Sequence, residues 1–201
     1  MNRFLINWIN QTYFDIVEKE KYLNELDFNV GDGDHGTAIL KGIHSVKKIL
    51  DIDDFKFDSN TFNLIAKTMR LEMGGASGIL TSIFFEELSN LKLNKNEVSL
   101  ILVFENTVLR IKKRGKVEPG NKSLLDVYNS VYLYLKQNSD IINIFDVIRK
   151  STNSTIDMEA SVGRAKFLEK KGLGFIDPGA KSTEILLINF FKEILNEKNN
   201  K

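Results

Sequence analysis

The residues best suited to chemistry are grouped in one short acidic loop in the N-terminal part of the sequence. The stretch from Asp27 to Gly36 reads DFNVGDGDHG and holds three aspartates, one histidine and three glycines. Carboxylates held close together repel one another, so such a cluster favours a cation that neutralises them. Mg²⁺ prefers oxygen ligands in octahedral geometry and completes its shell with waters and substrate phosphates. The loop therefore predicts a magnesium site with one open side.

Two alternatives to a magnesium loop differ in how well they fit. A calcium-binding EF-hand fails, because a loop starting at Asp27 places Asp32 where the turn glycine belongs and Ala38 where the closing glutamate belongs. A solvated Asp/Gly turn, with His35 as a local cap, remains open as the plainer interpretation.

A second glycine-rich junction, Gly74 to Gly78, reads GGASG and precedes an apolar segment with helical spacing. Its amides and the Ser77 hydroxyl are therefore expected at a helix N-terminus, which is a binding site for phosphate. The alternative is a turn between two helices in which Ser77 serves only as the N-cap.

The third junction, residues 114–126, reads RGKVEPGNKSLLD and is basic and polar. Pro119 and Gly120 predict a turn, and either Asn121 or Ser123 can cap the helix that follows. The segment is suited to a phosphate or ribose contact, and a plain loop explains it equally.

The fourth junction joins Gly163-Arg164 to the stretch GLGFIDPG at 172–179. Here Asp177 is expected to be an N-cap and Pro178 the first helical residue, and capping alone can explain both.

The glycine-rich turns of metal-binding or anion-binding character occur in a sequence without a Rossmann or Walker pattern. Together they indicate a nucleotide bound through magnesium.

The elements that must position these loops are helical. Only two prolines interrupt the chain, and the apolar residues recur at spacings of three and four. The run Val98 to Val103 is compatible with a strand, but its flanking polar residues favour a buried helix. We predict one all-α domain, 1–201, with eight or nine helices. After an N-terminal helix, these cover 37–50, 61–73, 77–91, 97–113, 122–137, 140–150, 156–170 and 180–195.

Composition limits the function classes. Lys and Arg number 28 against 27 for Asp and Glu, so the charge of +1 gives no reason to expect nucleic acid or anionic lipid as a partner. The absence of Cys excludes disulfides, thiolate metal sites and a Cys nucleophile, and fits a reducing compartment. The apolar runs are too short to span a bilayer, and no signal peptide is recognisable. We expect a soluble, cytoplasmic protein.

Taken in order, the four junctions resemble the DhaL family, the nucleotide-binding L subunits of dihydroxyacetone kinases. The resemblance is carried by NELDFNVGDGDHGTAILKG, MGGASG, RGKVEPGNKSLLD and GRAKFLEKKGLGFIDPGAKS. It implies a single-domain barrel of eight antiparallel helices, with ADP or ATP and two Mg²⁺ ions at the end formed by the loops.

The resemblance also implies roles for individual residues. Asp27, Asp32 and Asp34 match the aspartates that hold the magnesium ions. The residues that match nucleotide contacts are His35, Gly36, Thr37, Ala38, Ala76, Ser77, Gly115, Leu124, Arg164, Asp177, Pro178 and Gly179. The sequence departs from the family pattern at Asn121, at Ser123-Leu124, at 79–82 and at 166–175, which puts the acceptor sugar and the choice of partner in doubt.

The partners implied by the resemblance are two separate subunits. A K subunit holds dihydroxyacetone on a histidine and docks over the nucleotide. In one version of the family ATP exchanges as a substrate; in the other, which a free-standing chain favours, bound ADP is rephosphorylated by a phosphohistidine M subunit fed from phosphoenolpyruvate. A non-catalytic nucleotide sensor, a kinase subunit for another small ketose and a homodimer all stay open.

Overall fold

The computed structural model describes residues 2–89, 97–138, 140–168, 170 and 172–199. Within these ranges the chain forms eight α-helices and no strand. They are α1 Asn2–Phe28, α2 His35–Leu50, α3 Thr61–Met73, α4 Gly75–Leu88, α5 Glu97–Gly115, α6 Leu124–Gln137, α7 Ile144–Ser154 and α8 Pro178–Asn199. The all-α prediction is confirmed, and the run Val98 to Val103 lies in α5. The last predicted residues of the segment 77–91 lie outside the described ranges.

The helices pack as a closed ring. Each contacts the next along the chain from α1 to α8, and α8 returns to pack against α1. Helix α8 also contacts α2 and α6. The connections after α1, α3, α5 and α7 line one common cavity, so they lie at the same end of the barrel and successive helices run in opposite directions. No helix in the described part of the chain is long and apolar enough to cross a membrane.

Aromatic side chains fill the centre of the barrel. Trp8 of α1 is fully buried and stacks on Phe85 of α4 with ring centroids 5.4 Å apart. Its ring also meets Phe190 of α8 edge-on at 5.0 Å, and its indole N–H donates to the backbone oxygen of Leu186 over 2.9 Å. Large buried aromatic side chains contribute several kcal/mol each, so this contact fixes α1, α4 and α8 relative to one another.

The predicted helix 156–170 is wrong. In the part of the segment between α7 and α8 that the structure describes, there are two short 3-10 turns, Thr155–Asp157 and Ala165–Phe167, and no α-helix. Gly163 has a positive φ of 67°, which interrupts a right-handed helix. Ala160 and Ala165 pack with Val30 in a small separate cluster, so a contact remote in sequence outweighs local helix propensity. The segment thereby forms an irregular wall at the site end of the barrel.

Candidate metal and phosphate site

The four junctions surround one cavity of about 660 Å³. They are the connections after α1, α3, α5 and α7, which the alternating direction of the helices brings to the same end. Most of the residues predicted to contact nucleotide line this cavity: His35, Ala38, Ala76, Ser77, Gly115, Leu124, Arg164, Asp177, Pro178 and Gly179. Two of the predicted magnesium ligands, Asp27 and Asp34, line it as well.

Asp27 organises the acidic loop. It lies in the last turn of α1, and its Oδ2 accepts hydrogen bonds from the backbone N–H groups of Gly33 and Asp34 at 2.9 Å and His35 at 3.3 Å. Gly33 has a φ of 80°, which lets the backbone fold back over the carboxylate. The sequence of the loop thus places three consecutive amides around one side chain.

The three loop aspartates converge. Asp27, Asp32 and Asp34 each offer a carboxylate oxygen, and these oxygens lie within 4.8 Å of one another. Asp34 stands at the N-cap position of α2, but its side chain makes no capping hydrogen bond and is free to face a ligand. Three hard oxygen donors at such separations fit Mg²⁺, so the residues present suit the ion that the sequence predicts.

Asp32 does not line the cavity but pairs with Arg164 across its rim. Both side chains are substantially exposed, 43% for Asp32 and 64% for Arg164, so the ion pair contributes little to stability. The pair shows that the irregular wall of the fourth junction lies beside the acidic loop of the first.

His35, the first residue of α2, points into the protein. It is buried, and its Nε2 lies 2.9 Å from the Oγ of Ser182 in α8. The only hydrogen of the Ser182 hydroxyl is donated to the backbone oxygen of Gly179, so its oxygen accepts a hydrogen bond from Nε2–H of His35. Burial lowers the pKa of His35, which favours the neutral ring. The interpretation of His35 as a local cap of a solvated turn is therefore wrong, because its ring joins α2 to α8.

Gly36 and Thr37 are placed against α1 and do not line the cavity. A Cβ on Gly36 would lie only 2.2 Å from the backbone oxygen of Glu20. The Thr37 amide donates to the Asn24 side chain at 3.1 Å, and its hydroxyl donates to the Glu20 carboxylate at 2.9 Å. These two residues dock α2 on α1, which positions the acidic loop between the two helices.

The second junction presents a helix N-terminus to the cavity. Helix α4 begins at Gly75, and Gly74 is its N-cap with a φ of 66°. Ser77 lies in the first turn, so the alternative in which Ser77 is the N-cap is wrong. The first intrahelical bond runs from the Gly78 amide to the Gly74 oxygen at 3.0 Å, so the amides before it have no partner within the helix, and their residues line the cavity. This is the geometry that binds phosphate.

The fourth junction supplies a second helix N-terminus. Asp177 caps α8 by accepting from the Ala180 amide at 2.7 Å, and Pro178 is the first helical residue, as predicted. Burial raises the pKa of Asp177 to about 7, against the opposing effect of its hydrogen bond to Ala180. Gly179 follows and lines the cavity.

In the third junction the cap is Ser123, one of the two residues the sequence allowed. Its hydroxyl accepts from the Leu125 amide at 3.2 Å, and Asp126 accepts in return from the Ser123 amide at 2.8 Å. This capping box orients α6 so that Leu124 reaches the cavity. The other candidate, Asn121, instead accepts from the Glu118 amide at 3.0 Å and closes the preceding turn.

Among the cavity residues that the sequence did not predict is Lys122. It is 2% exposed and lines the cavity, and its ammonium group donates to the backbone oxygens of Thr155 and Phe175. Burial lowers its pKa, although nearby Asp177 and Asp126 oppose this. Lysine is rarely buried without partners, and no spacing in the sequence reveals partners so far along the chain.

The fold and site together define an all-helical barrel with a carboxylate cluster and exposed helix N-termini at one cavity. A family model described as the DAK2 domain matches residues 29–192, so the chain belongs to the DAK2-domain family, as its resemblance to DhaL proteins predicted.

Individual relatives agree with this assignment. The chain is 31% identical over 181 residues to "PTS-dependent dihydroxyacetone kinase, ADP-binding subunit DhaL" of Lactococcus lactis subsp. lactis (strain IL1403), covering 90% of this chain and 92% of that protein. It is 32% identical over 183 residues to "PEP-dependent dihydroxyacetone kinase 1, ADP-binding subunit DhaL" of Listeria innocua serovar 6a, covering 90% and 91%.

A solved structure shares the fold. The dihydroxyacetone kinase from C. freundii in complex with AMP-PNP and Mg²⁺ superposes with a TM-score of 0.73 at 23% sequence identity. The match covers 96% of this chain and 34% of that chain, so the present protein corresponds to about a third of the longer kinase.

Proposed function

We propose that this chain is the nucleotide-binding subunit of a dihydroxyacetone kinase, a phosphotransferase that holds ADP or ATP through two magnesium ions. The observation that carries the proposal is the convergence of Asp27, Asp32 and Asp34, whose carboxylate oxygens lie within 4.8 Å of one another beside the cavity. Relatives of nearly the same length are named ADP-binding subunits, which supports the same ligand here.

The charges around the cavity suit a metal-bound polyphosphate. Asp27, Asp32 and Asp34 supply the oxygen donors for magnesium, which when bound neutralises the charge of transferring phosphates. The first residues of α4, including Ser77, line the same space, and the amides of a helix start suit a phosphate. The apolar part of the lining, which includes Leu124, offers a surface for the base.

The chain's own residues would act by positioning rather than by covalent chemistry. Asp27 keeps the acidic loop folded through its hydrogen bonds to three amides. His35 is buried and bonded to Ser182, so it orients α2 instead of exchanging protons with a substrate. Phosphoryl transfer depends mainly on alignment and charge neutralisation, and a rigid loop of this kind provides both.

The acceptor is expected to come from a partner. We propose that a K subunit presents dihydroxyacetone at the open end of the cavity, and that the chain keeps ADP as a resident cofactor rephosphorylated by a phosphohistidine M subunit. Relatives named PTS-dependent and PEP-dependent kinases support this mode over exchange of free ATP.

Nucleotide binding is tested directly by calorimetry on the purified chain. We expect ADP to bind in the presence of Mg²⁺ and to lose its affinity when EDTA removes the metal. Asp34→Asn removes one ligand charge and is expected to weaken binding roughly a hundredfold, the upper end of the effect of metal-site substitutions. Asp53→Asn is the matched control, because Asp53 is also an exposed aspartate in a loop but lies in another connection.

The class of activity is tested by adding cognate K and M subunits. Transfer of phosphate from phosphoenolpyruvate to dihydroxyacetone, together with ADP released from the denatured purified chain in mass spectrometry, supports the proposal. Transfer that needs added ATP indicates exchange, and transfer only to another ketose changes the substrate. Tight ADP binding without phosphate transfer to any acceptor indicates a nucleotide sensor. In the calorimetry, equal affinity of Asp34→Asn and the wild-type chain for ADP with Mg²⁺ would reject the metal site.

A further inference from the structure

Lys122 combines two unfavourable features that its side chain must offset. The residue is almost fully buried, which is costly for an ammonium group. Its backbone has a φ of 58°, a left-handed conformation that costs a residue with a Cβ about 1 kcal/mol. Glycine or asparagine would adopt this backbone more easily. The presence of lysine therefore points to a specific task for the side chain.

The contacts of the ammonium group show where that task lies. Nζ donates to the backbone oxygen of Thr155, just after α7, and to that of Phe175, just before α8. These two oxygens mark the start and end of the irregular wall, in which the described residues form two 3-10 turns and no α-helix. One buried cation thus joins both ends of the wall to the third junction.

Besides its packing on Val30 and its ion pair with Asp32, the wall has two hydrogen bonds between its own ends. The Gly174 amide donates to the Ile156 oxygen at 2.8 Å, and the Asp177 amide donates to the Thr155 hydroxyl at 3.0 Å. Both bonds connect the same two ends that Lys122 bridges. The aliphatic part of Lys122 fills the space beside Gly172, where an added Cβ would come within 3.0 Å of its Cε. The side chain therefore packs against the wall as well as bonding to it.

The charge of Lys122 faces acidic groups from several elements. Asp126 of α6, Asp157 of the first 3-10 turn and Asp177 at the start of α8 all act on it electrostatically. A cation in their midst offsets their mutual repulsion close to the cavity. Its removal would leave these carboxylates without a compensating charge.

We propose that Lys122 is a positioning residue that fastens the wall of residues 155–177 over the nucleotide cavity, and so sets the place of Arg164 and of the α8 N-terminus. Its link to nucleotide affinity rests on the proposed function, whereas its hold on the wall does not.

The experiment compares wild type, Lys122→Met and Lys122→Arg by amide hydrogen exchange and by titration with ADP and Mg²⁺. Methionine keeps the apolar stem of the side chain but loses the positive charge and both hydrogen bonds of the ammonium group. We expect exchange in peptides from 156–177 to accelerate at least tenfold, while peptides from α1 and α3 keep their protection. The Kd for ADP with Mg²⁺ should rise about tenfold, equivalent to about 1.4 kcal/mol. Lys122→Arg keeps the charge and donors and should retain most of the protection.

Lys47→Met is the matched control, because Lys47 lies on α2, away from the wall, and pairs there with Asp51 just after the helix end. It should leave exchange in 156–177 unchanged. Should Lys122→Met not fold, Lys122→Gln is used with the same expectation. Wild-type protection of the wall in the folded Met or Gln variant would overturn the proposal, as would equal loss throughout the protein. If wild type binds no ADP, the proposed function fails, and exchange in the ligand-free chain still decides the role of Lys122.

Discussion

Replacing Asp27 separates the two tasks assigned to its carboxylate, folding of the acidic loop and binding of metal. Asp27→Ala removes the acceptor of two 2.9 Å hydrogen bonds and one weaker bond of 3.3 Å. Bonds to a charged acceptor contribute ~1.5 kcal/mol each, so the two short bonds give a loss of about 3 kcal/mol in unfolding free energy. Asp27→Asn keeps a neutral oxygen acceptor, and the same reasoning gives a loss of about 1 kcal/mol.

Binding is expected to follow a different order from stability. Both substitutions remove a ligand charge, so both should weaken the affinity for ADP with Mg²⁺ roughly a hundredfold. Urea unfolding followed by circular dichroism, with EDTA present, measures the loop contribution without metal. Calorimetry with ADP and Mg²⁺ measures the site. Asn is therefore the informative variant, since it nearly preserves the fold and still loses the ligand.

Two results would refute this reasoning. If Asp27→Asn binds ADP and Mg²⁺ within twofold of wild type, the carboxylate is not a metal ligand. If Asp27→Ala unfolds at the same urea concentration as wild type, the three amide bonds do not stabilise the loop. The exposed Asp53→Asn variant should change neither measurement, which controls for loss of one negative charge.

Three further substitutions test other parts of the site end. Gly36→Ala forces a Cβ to within 2.2 Å of the Glu20 oxygen and should lower the thermal unfolding free energy by about 2 kcal/mol; wild-type stability would contradict the close packing of α1 and α2. Ser123→Ala removes the α6 cap and should cost about 1 kcal/mol in urea unfolding, and an unchanged midpoint would argue against the capping box. The pKa of Asp177 is raised from 3.8 to about 7, so its contribution to stability is present below pH 4 and is lost as pH rises to 7. The side chain is still partly exposed, so we expect the unfolding free energy to fall by about 2 kcal/mol over this pH window in metal-free protein. Asp177→Asn should flatten this dependence of the unfolding free energy on pH. An equally steep dependence in the variant would exclude Asp177 as its source.

Local signals in the sequence account for what could be predicted. The cap formed by Asp177 and Pro178 follows from two adjacent residue types with strong positional preferences, and the structure has both in the expected places. The acidic loop was recognisable for the same reason, since its glycines and aspartates lie within ten residues. The magnesium and nucleotide roles of the individual residues stay predictions until the binding experiments are done.

Contacts between distant segments account for the errors. The segment 156–170 contains good helix-forming residues, but Ala160 and Ala165 are held by Val30, far away in sequence. Lys122 in a polar loop would be expected at the surface, yet its two carbonyl partners lie 33 and 53 residues further along the chain. Gly36, whose nucleotide contact stays a prediction, also allows two helices to approach, a need that only the packing of α2 on α1 creates.

The alternating direction of the helices also has an electrostatic result. It gathers the first residues of α2, α4, α6 and α8 around one cavity, and each helix start carries a partial charge of about +0.5 from its aligned peptide dipoles. The ends of α1, α3, α5 and α7 at the same face carry the opposite partial charge. The backbone therefore offers attraction to anions and cations side by side, in a chain whose formal charge is only +1. The polarity of the scaffold itself therefore suits a ligand that carries both signs, such as the proposed polyphosphate with its counterion.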